Sequence, residues 1–203
     1  MRFDGKITVI TGAGQGLGEA YARAFAKEGA HVMLIDLNGE NAQKVAADIV
    51  SQGGRAKAFQ CDIGDAKAVE AVFDQILGEF NYVDILVNNA AFHRSMPVVE
   101  TPTELWDAQI RVNLNGTFYC TKCVLPKMIE RRYGKIINIS SSAAKLFFPG
   151  FGAYSASKGG VVSFPHTLSQ EVKQFYINVK SWSLGMNNHE QPRKRPDPAA
   201  AAH

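Results

Sequence analysis

Residues 11–18 read Thr-Gly-Ala-Gly-Gln-Gly-Leu-Gly. They follow a short β-branched run, Ile7–Thr11, and precede a segment in which Leu17, Ala20, Tyr21, Ala24 and Phe25 recur at helical spacing until Gly29. A glycine-rich turn that leaves a strand and opens a helix constrains the fold more than any other feature of the chain. Free N–H groups and the positive end of the helix dipole face an anion there. Glycine permits both the sharp turn and the close approach of a pyrophosphate. A flexible surface loop is the competing reading, and the strand–turn–helix context argues against it. The spacing is informative. A G-x-G-x-x-G beginning at Gly12 needs glycine or alanine at 17, where Leu17 stands. The pattern that fits is T-G-x-x-x-G-x-G, with Thr11, Gly12, Gly16 and Gly18.

Strands and helices alternate along the rest of the chain. Strands are expected at Ile7–Thr11, His31–Asp36, Lys57–Cys61, Asp84–Asn88, Lys135–Ser140 and Asn178–Trp182. Helical spacing marks Ala42, Val45, Ala46 and Ile49, then Val69, Val72, Phe73, Ile76, Leu77 and Phe80. A long helical stretch is read at 103–132 and another at 152–175. Runs such as Ile7-Thr8-Val9-Ile10 do not alternate apolar with polar, which is the mark of a parallel sheet covered on both faces. The expected fold is therefore α/β: a Rossmann-type doubly wound parallel sheet flanked by helices. Residues 1–185 form one domain, and 186–203 read as a disordered tail with Arg193-Lys194-Arg195 and four alanines.

Composition removes several classes of function. The formal charge of +3 is too small to argue for a nucleic-acid partner. No apolar run approaches the roughly 18 residues of a membrane span, and the first residues lack the apolar stretch of a secretory signal. Three cysteines suit a reducing cytoplasm rather than a disulfide framework. Cys120 and Cys123 form a C-x-x-C inside a helical pattern with no second pair at metal-site spacing, so they read as packing residues and no metal is expected.

Two further features carry chemistry. Asp36 ends the second strand 24 residues after Gly12, where a carboxylate accepts both ribose hydroxyls of an adenosine and repels a 2′-phosphate. Positions 13–15 and 37 are Ala13, Gly14, Gln15 and Leu37 and supply no cation, so NAD is expected over NADP. A solvated or helix-capping aspartate is the competing reading. Tyr154 and Lys158 stand at i and i+4, on one helix face. A free phenol has a pKa of about 10; a neighbouring ammonium favours phenolate and lowers it. A half-exposed helix face is the alternative.

Taken with TGAGQGLG at 11–18, the segments CDI at 61–63, NNAA at 88–91, VNLNG at 112–116, INISS at 137–141 and YSASK at 154–158 resemble a single-domain short-chain dehydrogenase/reductase, in order and in spacing. The resemblance implies hydride transfer between NAD(H) and a secondary alcohol or ketone. Tyr154 would be the general acid/base and Ser141 would donate a hydrogen bond to the substrate oxygen, with Ser140 and Ser142 as neighbours in register. Lys158 would lower the Tyr154 pKa and hold the nicotinamide ribose, and Asn113 would anchor a water in a proton relay or else bridge helix and strand backbone. Cofactor contacts would come from Gly12, Gln15, Gly16, Leu17, Gly18, Asp36, Asp62, Ile63 and Asn89, with Tyr154 and Lys158. A homodimer or higher homo-oligomer would pair through the stretches at 103–132 and 152–175.

The chain departs from that pattern in four places. Ala91 replaces a glycine. Pro165 falls inside the helix of Tyr154 and Lys158, where it should kink the helix at a cost of about 3 kcal/mol if uncompensated. Leu184-Gly185 replaces Pro-Gly, with no threonine after Thr167. The C-terminus reads as truncated or frame-shifted, so the last helix and seventh strand are expected to be lacking and strand six to be a new edge. The alternative function is then a catalytically impaired dinucleotide-binding protein without a substrate lid. Phe92, His93, Met96, Phe147, Phe148 and Phe151 in two loops suit an apolar or cyclic alcohol, or else are ordinary packing; His93 reads as a surface or packing histidine.

Overall fold

The first strand, β1 (Ile7–Thr11), is buried at every residue because helices cover both faces of the sheet. It is flanked by β2 (His31–Asp36) on one side and β4 (Ile85–Asn88) on the other, both parallel. With β3 (Arg55–Gln60), β5 (Gly134–Ser141) and β6 (Ile177–Leu184) the sheet has the order β3-β2-β1-β4-β5-β6. All five pairings are parallel, so each crossover needs a helix. This computed structural model describes residues 1–146 and 148–185. Within them the expected doubly wound parallel sheet is present with six strands. The tail at 186–203 and Phe147 lie outside the described residues.

Alternate residues of one strand feed opposite cores. Val9, Met33, Ile35 and Leu86 pack with Phe73 and Ile76 of α3 (Ala66–Phe80), Cys120 and Met128 of α5 (Gly116–Arg131) and Leu168 of α6 (Gly152–Val172). Ile10, Val32, Leu34 and Val87 face Ala22 of α1 (Gly16–Lys27) and Val45 and Ile49 of α2 (Gly39–Ser51). The helices start where capping chemistry allows. Asn38 accepts from the Asn41 N–H at 3.0 Å, and Asp65 accepts from Lys67 and Ala68 at 2.9 and 3.2 Å.

The stretch at 103–132 is helical from Thr103 to Arg131. It is α4 (Thr103–Ile110), then a π turn at Arg111–Asn115, then α5. A π turn inserts one residue per turn and re-aims the side chains around it. Pro165, whose lost hydrogen bond is expected to be costly if uncompensated, is buried inside an α6 that runs through it. A proline at 165 leaves the Val161 carbonyl without its i+4 donor. The Ser181 hydroxyl on β6 donates to that carbonyl at 3.1 Å. The compensation comes from the neighbouring strand.

Candidate cofactor and catalytic site

The strand order reverses between β1 and β4, and a cleft of about 1190 Å³ opens there, beyond the C-terminal ends of β1 to β4. In open α/β sheets ligands bind at such a reversal. Gly12, Gln15 and Gly16 line one wall, Asp36 and Leu37 the next, and Asp62, Ile63, Asn89 and Arg111 the rest.

The glycines of the turn are dictated by contact. A Cβ on Gly12, whose φ is +64°, would meet the Ala90 Cα at 2.8 Å. A Cβ on Gly18 would run into the Gly12 carbonyl oxygen and stand 2.7 Å from the Asn89 Nδ2. At Gly16, with φ +58°, nothing lies within 4 Å of that position, so the backbone there is open to an approaching group. Gln15 makes no side-chain cap on α1, so the first N–H groups of the helix keep their anion-binding capacity. Leu17 is exposed beside them. Asn89 braces the turn: its Nδ2 donates to the Thr11 and Gly12 carbonyls at 3.0 and 3.1 Å, and the Thr11 hydroxyl accepts from the Asn89 and Ala90 N–H groups. This cradle, the open face at Gly16 and the size of the cleft fit a dinucleotide.

Asp36 is half-buried at the rim, and its two oxygens accept from Gly14 N–H at 2.8 Å and Asn38 N–H at 2.9 Å. That fixes the carboxylate where the ribose is expected and leaves each oxygen a further lone pair. Asp62 accepts from Gly64 N–H at 2.8 Å and is paired with Arg111 at 2.8 Å. Burial opposes that carboxylate's charge, yet its pKa ends below the ordinary value because the guanidinium and the N–H favour the ionised form. Arg111 was missed in the sequence. It is the one cation among the described lining residues, brought from 49 positions beyond Asp62 by the start of the π turn.

Tyr154, Ser141, Lys158 and Asn113 converge at the C-terminal end of β5, outside the lining of that cleft. Successive strand residues point to opposite faces, and this separates the neighbouring serines. Ser141 lies beside Tyr154, whereas Ser140 is buried and donates to the Lys158 carbonyl at 2.9 Å. Lys158 is buried, its Nζ donating to the Ile139 carbonyl at 2.8 Å and lying 5.8 Å from the centre of the Tyr154 ring. Burial lowers the Lys158 pKa to about 8. In the protein alone the Tyr154 phenol stands above its ordinary value. Burial raises it, and the Ser141 hydroxyl opposes that only in part. Lys158 points to a carbonyl, and the phenol is protonated at neutral pH in the protein's own surroundings. Asn113, fully buried in the π turn, accepts from Phe92 N–H at 2.7 Å and donates to the Phe92 carbonyl and to the Ser157 hydroxyl, both at 2.9 Å. Ser157 donates to the Tyr154 carbonyl at 2.7 Å. The side chain of Asn113 thus ties the loop at Phe92 to the helix at Ser157.

Cys120 and Cys123 are unpaired. Burial pushes Cys120 well above an ordinary thiol and Cys123 up to about 11, so both behave as packing residues rather than a redox pair. No described helix is long and apolar enough to cross a membrane.

A parallel sheet with strand order 3-2-1-4-5-6 and a glycine cradle at its reversal defines a Rossmann-type nucleotide-binding protein. Residues 6–196 match the family model of the short chain dehydrogenases, and the chain belongs to that family of oxidoreductases. It is 40% identical over 170 residues to the D-threitol dehydrogenase of Mycolicibacterium smegmatis, covering 84% of this chain and 65% of that protein's length. It is 34% identical over 199 residues to a 3-oxoacyl-acyl-carrier-protein reductase of Thermotoga maritima, covering 98% and 81%. Among solved structures, an NAD+-bound xylitol dehydrogenase superposes with TM-score 0.87 at 32% identity, over 91% of this chain and 72% of the other. A metagenomic short-chain oxidoreductase in complex with NADP gives 0.89 at 33%, over 92% and 85%.

Proposed function

We propose that this protein is an NAD-dependent dehydrogenase/reductase acting on a secondary alcohol or ketone, with Tyr154 as general acid/base. The observation that carries the reading is the meeting of Tyr154, Ser141 and Lys158 at the end of β5, next to a dinucleotide-sized cleft. Bound NAD would supply the hydride acceptor for the carbinol carbon and a positive charge that favours phenolate.

This chain's residues supply positioning and proton transfer. Gly12, Gln15, Gly16, Leu17 and Gly18 cradle the pyrophosphate with α1, and Asp36 receives the adenosine ribose. Asp62, Ile63 and Asn89 form the wall and brace beside the adenine and the turn. Asp36 favours NAD over NADP because a fixed carboxylate repels a 2′-phosphate, and Arg111, the nearest lining cation, is engaged by Asp62. Ser141 donates to the substrate oxygen, and Tyr154 takes the hydroxyl proton during oxidation and returns it during reduction. Lys158 holds the nicotinamide ribose, and its ammonium, mostly charged at neutral pH, favours the phenolate form of Tyr154. Asn113 keeps the loop at Phe92 and the helix at Ser157 in register, and anchors the relay water. The catalytic unit is residues 1–185. The cytoplasm is its expected compartment. Exposed Trp106 and Phe118, with Phe118 edge-on to Phe164 at 6.0 Å, support a homodimer or higher homo-oligomer through α4, α5 and α6.

The test is oxidation of a panel of secondary alcohols with NAD, beside direct titration of NADH. Turnover by the wild type and its loss in Tyr154→Phe, with NADH binding retained, are the expected results. NADH binding without turnover of any alcohol or ketone would support a silent dinucleotide-binding protein instead.

A further inference from the structure

The loop after β4 sets an imidazole against the phenol. The His93 ring centre lies 4.4 Å from that of Tyr154, with planes tilted by 48°, and 4.4 Å from that of Phe151, tilted by 51°. Phe148 backs Phe151 at 5.4 Å. The main chain just before His93 is held as well, since both backbone groups of Phe92 are bonded to the buried Asn113 side chain. The following residue, Arg94, exchanges backbone hydrogen bonds with the buried Gln109 side chain. The imidazole is exposed, yet it packs against two rings and its backbone is tied on both sides, so it is a positioned group.

Its polar atoms are unused. Among the described residues no hydrogen bond engages either ring nitrogen, while the adjoining backbone is fully occupied. Partial burial lowers the His93 pKa, which favours the neutral ring. A neutral imidazole has one donor and one acceptor nitrogen. A hydroxyl group offers the matching pair. With the imidazole and phenol rings in contact, a second substrate oxygen close to the reacting one comes within reach of His93.

Resting on the reading of Tyr154 above, we infer that His93 binds the hydroxyl next to the reacting carbinol, and that the substrate is a vicinal diol or longer polyol. D-threitol and xylitol, named in two of the similar proteins, carry such hydroxyls. A 3-oxoacyl thioester, the kind of substrate named in another, sets its second oxygen two carbons from the ketone, with no hydrogen to donate.

Butane-2,3-diol and butan-2-ol, oxidised with NAD, separate the possibilities. The wild type is expected to favour the diol in kcat/KM by roughly tenfold, the weight of one hydrogen bond left unmade. His93→Phe keeps an aromatic ring between Phe151 and Tyr154 and is expected to bring the ratio close to one; His93→Gln, which keeps a donor and an acceptor, restores part of it. An unchanged ratio in His93→Phe overturns the assignment. Equal loss on both substrates also overturns it, since that reports only packing around Tyr154. Faster reduction of acetoacetyl-coenzyme A than oxidation of the diol overturns the polyol class. Failure of the wild type on both alcohols with NADH still bound defeats the dehydrogenase reading itself, and the His93 role with it.

Discussion

The serine that repairs a proline offers a direct test of how α6 is held. Pro165 cannot donate to the Val161 carbonyl, and the Ser181 hydroxyl does so at 3.1 Å. Val161 is buried, so Ser181→Ala removes the hydroxyl donor from a carbonyl in the interior. An orphaned buried acceptor costs about 1–3 kcal/mol. At about 2–4 °C per kcal/mol for a chain of this size, a loss of about 2 kcal/mol lowers Tm by about 4–8 °C. The decisive measurement is a double-mutant cycle by urea denaturation. Pro165→Ala restores an N–H at position 165, which can donate to Val161 in the ordinary helical way. In that background Ser181→Ala should cost at least about 1 kcal/mol less than in the wild type, a coupling typical of groups that share a partner. Additivity within about 0.5 kcal/mol would refute the compensation and leave Ser181 as an ordinary strand residue.

Three other outcomes are expected. Lys158 has a folded pKa of about 8 against an ordinary lysine value of 10.5, so the unfolded chain binds more protons between those values and wild-type stability rises with pH there. The stability of the wild type relative to Lys158→Met, followed by denaturation from pH 7 to 11, should therefore climb across that window; a flat difference would contradict burial of a charged ammonium. Asp36→Ser should shrink the kcat/KM preference for NAD over NADP by about tenfold, the equivalent of about 1.4 kcal/mol; because Asp36 also holds Gly14 and Asn38, the ratio rather than either rate is the readout. Arg111→Ala frees the Asp62 carboxylate at the adenine end. It should weaken NADH binding by about tenfold, the loss of one charge-assisted contact. Binding of reduced nicotinamide mononucleotide, which has no adenosine, should not change; equal weakening of both would place Arg111 elsewhere in function.

The elements most legible in the sequence are the buried ones bounded by turn residues. Strands β1 and β2 run Ile7–Thr11 and His31–Asp36, as the apolar runs and glycines indicate. Strand β3 runs Arg55–Gln60 instead of Lys57–Cys61, because a strand at the sheet edge with alternate residues exposed is not marked by hydrophobicity. For the same reason β6 extends to Ile177–Leu184, beyond the Asn178–Trp182 read from its apolar residues. The π turn at Arg111–Asn115 uses the same residue types as an α-helix, so the stretch at 103–132 gave no local sign of it.

By itself, then, the sequence determined the alternation of strands and helices, the doubly wound parallel sheet, and the spacing of Thr11, Gly12, Gly16 and Gly18. Local periodicity and turn chemistry are properties of neighbouring residues and can be read along the chain. Tertiary structure alone decided which polar groups meet across elements: Arg111 with Asp62, Ser181 with the carbonyl freed by Pro165, Lys158 with Ile139, and His93 with Tyr154. Those meetings depend on strand register, helix packing and one π turn. Each joins residues 19 to 61 positions apart, a separation at which no sequence period survives.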